Sequence, residues 1–160
     1  MQFTVEPIGY VSSSRAEAVD DAWDCESSSI SLIPRFLPEA VLGLAEFSHI
    51  EVIYCFHGVD ARTVETGARH PRGNMRWPSV GIFAQRGKNR PNRLGTTTCR
   101  LLQVDGTKLN VAGLDAIDGT PVLDIKPVMK EFLPRGALAQ PEWATELMAS
   151  YWNRSKAGDV

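Results

Sequence analysis

Residues 96–114 read TTTCRLLQVDGTKLNVAGL, and this stretch decides the class of fold. Thr96–Val104 is rich in β-branched and large apolar residues, and Lys108–Leu114 alternates apolar with polar or small. Between them lies Asp105-Gly106-Thr107, whose Asp-Gly pair supplies the tight reversal a β-hairpin needs. Working outward, Asp118-Gly119-Thr120-Pro121 marks another turn and Val122–Lys126 another strand. Upstream, Val80–Ala84 reads as a short strand and Glu51–Phe56 as a strongly β-forming, buried one. Ile30–Ile33 is a further short strand, and Phe3–Val11 an imperfectly alternating first one. The polar run Ser12–Ser29, with its serines and acids, reads as a long loop. Two helices are expected. Pro38–Phe47 has Pro and Glu at its start, and Pro141–Trp152 sets Trp143, Leu147 and Tyr151 along one face. Many short strands with few helices predict a mostly-β barrel or sandwich. The 10–15-residue helices that would alternate with strands in a doubly wound sheet are missing.

The chain has 160 residues, of which 43% are hydrophobic and 22% charged, an ordinary balance for a folded domain. No apolar run approaches the roughly 20 residues of a membrane-spanning helix, and Met1–Pro7 lacks the basic start and apolar stretch of a secretory leader. Cys25, Cys55 and Cys99 are odd in number and widely spaced. They fit neither a disulfide framework nor a zinc pattern, so a reducing cytoplasm is the expected setting. The formal charge of −2 hides a strong asymmetry. Residues 62–100 carry nine basic side chains, eight of them Arg, against the single acid Glu65, a net of +8. The remainder carries eight basic and eighteen acidic side chains, a net of −10. Arginine makes bidentate contacts to phosphate, and here it is interleaved with Pro, Gly and Asn in loops. A solvated basic face is one reading of such a run; the arginine-rich loops favour the other, a phosphate-bearing partner with salt-sensitive binding.

Common catalytic signatures fail. Gly81–Asn89 spaces its glycines one residue too widely for a phosphate loop and ends in Asn rather than a hydroxyl. No GxGxxG opens a helix, no GxSxG is present, and His49, His57 and His70 lack metal-ligand spacing. Three stretches carry more information. SHIEVIYCFHGVD (48–60) ends a strand in His57-Gly58, where Gly permits close backbone approach and His offers a donor or acceptor. HPRG (70–73) and GIFAQRGKNRPNRLG (81–95) concentrate arginine around a rigid proline. LDAIDGTPVLDIKP (114–127) places Asp115, Asp118 and Asp124 within ten residues, with Lys126 beside the last. An acid and an amine inside an apolar strand need partners.

These segments, in this order, resemble the TrmO family, also called TsaA-like or YaeB-like, from about Val5 to about Pro134. The resemblance implies a single-sheeted β-barrel, with short helices including a C-terminal one, that binds S-adenosylmethionine without a Rossmann fold. It places the barrel domain at residues 1–136 and leaves 137–160 as a C-terminal helical extension. It further implies a homodimer, and methyl transfer to the exocyclic nitrogen of threonylcarbamoyladenosine beside the tRNA anticodon. By position, His57, Gly58, Arg86, Leu94, Asp115, Ala116, Ile117 and Asp118 match the family's cofactor contacts. No metal is implied. Departures are local: DIKPY becomes DIKPV at Val128, RPNPIG becomes RPNRLG at Arg93, and an arginine-containing PRQ-like element has no counterpart among Val19–Trp23.

An acylated nitrogen is a poor nucleophile, so a base or a local field that favours its deprotonated form is needed. Asp124 and Lys126 are the candidates for that role, with a structural ion pair as the alternative. Arg72, Arg90 and Arg93 are the candidates for tRNA phosphates or the substrate carboxylate. Two other readings use the same pocket: a cofactor-binding sensor or accessory protein that transfers no methyl, and a small-molecule methyltransferase.

Overall fold

The computed structural model describes residues 2, 4–24 and 26–152; Cys25 and the end of the expected C-terminal extension lie outside that set. Strand β1 (Gly9–Ser12) is followed by β2 (Ser27–Leu32), two 3₁₀ turns, and β3 (His49–Cys55). The arginine-rich middle contributes only two short strands, β4 (Ala68–Arg69) and β5 (Val80–Gly81), which pair with each other. Then come β6 (Leu94–Asp105), β7 (Lys108–Ala112), β8 (Pro121–Pro127) and helix α1 (Glu142–Met148). Six strands close into an antiparallel barrel in the order β1-β2-β7-β6-β3-β8. The closing seam pairs Gly9 with Val122 and Tyr10 with Pro121. A closed sheet leaves no unpaired edge, and here it settles the choice between barrel and sandwich.

Alternation builds the core. Along β3 the inward residues Ile50, Val52 and Tyr54 are buried, while His49, Glu51 and Ile53 face outward. Val11, Ile30, Cys99, Leu109, Val111 and Val122 meet them from the other five strands. Burying each large aliphatic side chain contributes roughly 1.5–3 kcal/mol, which makes this layer the main source of stability.

Local differences from expectation have physical causes. The first strand covers only Gly9–Ser12, and Phe3 lies outside the described residues. β2 begins at Ser27, three residues before the apolar run, because the serines pair with Ala112, Val111 and Asn110 of β7. Pro38–Phe47 is two 3₁₀ turns rather than one helix, split by Gly43 at φ +82°. Val80–Ala84 leaves its strand after Gly81 and coils into a 3₁₀ turn. The hairpin turn is confirmed: Asp105 pairs with Lys108 across a two-residue loop. Among the described residues, no helix is long and apolar enough to cross a membrane.

Candidate functional site

The site lies where β3 ends and the loop between β7 and β8 returns to the barrel. Tyr54 fills the barrel interior at 2% exposure and reaches out of it with its hydroxyl. That hydroxyl donates to Asp115 Oδ1 at 2.5 Å and to the Asp115 carbonyl at 3.0 Å. Thr97 of β6 donates to the same carboxylate oxygen, and Tyr151, just beyond α1, donates to Oδ2. Three hydroxyls on three separate elements therefore converge on one carboxylate. Burial, and then the negative charge of Asp115, push both phenols well above their ordinary value, so each stays a proton donor. The Arg86 and Arg72 guanidiniums near Tyr151 pull its value the other way.

Close packing fixes this arrangement. A methyl group on Gly95 would lie 2.5 Å from the Tyr54 ring and 2.9 Å from Phe56, so only glycine lets β6 pass at this point. Phe56 stacks edge-on against Tyr54, with ring centroids 5.4 Å apart, and its N–H donates to the Arg93 carbonyl at 2.8 Å. His57 and Gly58 follow at an exposed turn. The His57 Nε2 lies 4.0 Å from where a Cβ on Gly119 would stand. Gly119 itself has φ +73°, a conformation other residues rarely adopt. The FHG strand end and the DAIDGTP loop are thus neighbours.

The N-terminal loop cradles that turn. Asp118 N–H donates to the Arg15 carbonyl at 2.7 Å, Gly119 N–H to the Val11 carbonyl at 2.9 Å, and Ser13 N–H to Asp118 Oδ1 at 3.0 Å. Arg15 holds the loop together: it pairs with Glu26 at 2.7 Å, donates to the Asp21 and Ala22 carbonyls, and stacks over Trp23 at 4.3 Å. The guanidinium beside Glu26 lowers that carboxyl below its usual range.

The remaining candidates are placed as follows. Ala116 is buried, Ile117 is half-buried, and Leu94 is exposed at the start of β6. Arg86 donates to the Thr96 carbonyl at 2.7 Å. Arg72 pairs with Asp21 at 2.8 Å and with Asp20 at 3.6 Å. Arg90 and Arg93 spend a donor within the loops, on the Gln85 and Val59 carbonyls, each at 3.0 Å. Asp124 and Lys126 are not joined to the Asp115 cluster by any contact described. They pair with each other on the outer face of β8, both about half exposed. Asp124 borders an apolar groove of about 580 Å³ lined by Ile8, Leu32, Phe36, Val41 and Phe47 among others. No group of three His, Cys, Asp or Glu able to hold a metal ion occurs among the described residues.

Sequence reasoning missed Arg15 and Tyr151. Arg15 had a signal, being the one basic residue in an acidic N-terminal segment that ends at Ile33. Tyr151 was visible only as the third member of an apolar stripe; the helix stops at Met148 and leaves it free to turn inward.

The family model of the tRNA-methyltransferase O N-terminal domain matches residues 19–132. The chain is 39% identical over 134 residues to the tRNA (adenine(37)-N6)-methyltransferase of Escherichia coli, covering 75% of this chain and 54% of that protein. It is 38% identical over 93 residues to the mouse protein of the same name, covering 58% of this chain and 21% of that one. An archaeal protein from Methanothermobacter thermautotrophicus, named "Probable S-adenosyl-L-methionine-binding protein", is 38% identical over 82% of this chain and 93% of its own length. The chain thus spans about a fifth of the mouse protein and about half of the Escherichia coli one, and nearly all of the archaeal one. Among solved structures, TrmO from Pseudomonas aeruginosa superposes with a TM-score of 0.71 at 31% identity, over 90% of this chain and 63% of that one.

Proposed function

Because the chain belongs to the family of the tRNA-methyltransferase O N-terminal domain, we propose that it transfers a methyl group from S-adenosylmethionine to threonylcarbamoyladenosine beside a tRNA anticodon, at its exocyclic nitrogen. The observation that carries this reading is the convergence of His57, Arg86 and the Asp115–Asp118 loop at one end of the barrel. Their chemistry fits the cofactor. Asp115 and Asp118 suit the sulfonium and ammonium charges and the ribose hydroxyls, and Arg86 suits the carboxylate. Leu94 and Ile117 are apolar faces for the adenine, and Gly58 with Gly119 leaves room for close backbone approach. When bound, S-adenosylmethionine supplies an electrophilic methyl group.

The chain's own contribution is to bind and orient the reactants. Holding the acceptor nitrogen in line with the methyl group removes much of the entropic barrier. The positive potential of the arginine loops favours the deprotonated, more nucleophilic form of the acylated nitrogen. In this reading Arg72, whose charge acts on Tyr151, and Arg93, whose carbonyl meets the Phe56 N–H, supply that potential together with Arg90. Asp124 and Lys126 take the other role considered for them, an ion pair on the barrel wall. A second copy of the chain works with the first in this reading, and the apolar groove beside Asp124 offers it a surface. In this reading residues 1–136 are the barrel unit and 137–160 a C-terminal extension, whose described part ends at Trp152, and the setting is the cytoplasm.

The similarity over 93% of a protein named for cofactor binding alone favours a second reading, a sensor that transfers no methyl. Mass spectrometry of nucleosides from tRNA incubated with protein and cofactor separates the two. A gain of one methyl on threonylcarbamoyladenosine is the expected result. Tight cofactor binding with no modified nucleoside in any tRNA would overturn the methyltransferase reading in favour of the sensor.

A further inference from the structure

After α1, residues 149–152 turn back against the N-terminal loop. The Ala22 and Trp23 N–H groups donate to the Ser150 and Tyr151 carbonyls at 3.2 and 3.0 Å, so two successive backbone bonds tie the segment to the N-terminal loop. Trp77, from the arginine-rich region, donates its indole N–H to Glu146 of α1 at 2.8 Å. Trp152 packs edge-on against Tyr151 with centroids 4.9 Å apart and lies 4.0 Å from the Cβ position of Gly113. One C-terminal segment thereby touches the N-terminal loop, the 71–77 loop and the approach to Asp115. Ala22, at φ +64°, is held in the left-handed region between these bonds and the Arg15 guanidinium. A non-glycine residue rarely adopts that conformation, so the contacts on both sides of Ala22 keep it there.

From this geometry we propose that Tyr151 is a positioning residue, whose hydroxyl, with those of Tyr54 and Thr97, fixes the Asp115 carboxylate and so sets the Asp115–Asp118 loop for the cofactor. The proposal rests on the reading that this loop holds S-adenosylmethionine. A carboxylate gripped on both oxygens by three hydroxyls has little freedom to rotate, and its peptide carbonyl is held by Tyr54 as well. Tyr54 and Thr97 belong to the rigid barrel, but Tyr151 arrives from outside it. The third grip therefore exists only when the C-terminal segment is docked. Because Arg86 and Arg72 lie near the same phenol, the docked segment also brings the cofactor side and the arginine-rich side of the site into one place.

The test is a thermodynamic cycle on the full chain. S-adenosylmethionine is titrated by calorimetry into the parent, Tyr151→Phe, Asp115→Asn and the double variant, with thermal melts run alongside. Tyr151→Phe keeps the ring and its packing and removes only the donor. It is expected to weaken cofactor binding by about tenfold, the scale of one charge-assisted hydrogen bond. The double variant is expected to bind no more weakly than Asp115→Asn alone, since the hydroxyl acts through that carboxylate. Should Asp115→Asn fail to fold, Thr97→Val takes its place in the cycle. Unchanged affinity in Tyr151→Phe, or strictly additive losses, would overturn the proposal. Tighter binding by Tyr151→Phe would also overturn it, and would make the phenol a plug. If instead Asp115→Asn folds and binds the cofactor as the parent does, the cofactor-loop reading itself fails.

Discussion

Cys99 sits inside the barrel at 2% exposure, and burial, with the nearby Asp115 charge second, pushes its thiol from 9.0 up to about 12. The unfolded chain releases this proton near the ordinary value while the folded chain keeps it. The stabilisation is therefore complete below about pH 9 and is lost as pH rises towards 12, by about 1.4 kcal/mol per pH unit at most. Tyr54, raised further still by burial, adds to the same alkaline loss once the unfolded phenol ionises. Melting temperatures measured from pH 8 to 11 should fall steadily above pH 9, and Cys99→Val should flatten the first part of that fall. Parallel curves for parent and variant would show that the thiol is not the source. At this scale the sequence was uneven as a guide. Asp115 and Asp118 stood out because several acids crowd a turn, and His57 because a strand ends in His-Gly. Tyr151 could not be read, since the partner that gives it meaning lies 36 residues away. Asp124 and Lys126 were read as an acid and an amine inside an apolar strand; they lie instead on its half-exposed outer face, paired with each other.

Among the elements, the hairpin of β6 and β7 was legible because everything that forms it is local: two β-rich runs and an Asp-Gly reversal. β2 was only half legible, as its serines have little strand preference and gain their pairing from β7, about eighty residues later. The arginine-rich loops were read as cationic and irregular, and both hold, with Arg72, Asn92 and Arg93 at positive φ. What the spacing concealed is how much arginine goes into holding the loops in shape. Arg93 serves the carbonyl of Val59, a residue 8% exposed, and removing a buried acceptor's donor costs about 1–3 kcal/mol. Arg93→Ala should therefore loosen residues 59–93 while leaving the barrel intact. Hydrogen exchange should show amides of that segment exchanging at least tenfold faster, with β6 and β7 unchanged. Equal protection throughout would mean that the loop stands without this bond.

For the molecule as a whole, the division of charge bears on the proposed RNA contact. The +8 segment is one contiguous stretch of an otherwise acidic chain, and part of it is already neutralised where Arg72 meets Asp20 and Asp21. Contact with about four phosphates gives a logarithmic salt slope near −3. Affinity for tRNA should thus fall on the order of a hundredfold between 50 and 200 mM salt. A slope near zero in filter-binding or anisotropy titrations would exclude the arginine loops as the RNA contact. Alternation alone fits barrel and sandwich equally, and it was the resemblance of the motifs that pointed to the barrel the structure shows. Closure is decided by Gly9 meeting Val122, more than a hundred residues apart. The same seam governs how the protein is born. Among the described residues β8 is the last strand, and both β1 and β3 wait for it. A nascent chain that has not yet released Pro121–Pro127 from the ribosome holds an open sheet with two raw edges, each a template for a neighbouring polypeptide. Translation that stalls there leaves a sticky fragment rather than a slightly loosened fold, so steady elongation through this short stretch matters for the yield of folded protein.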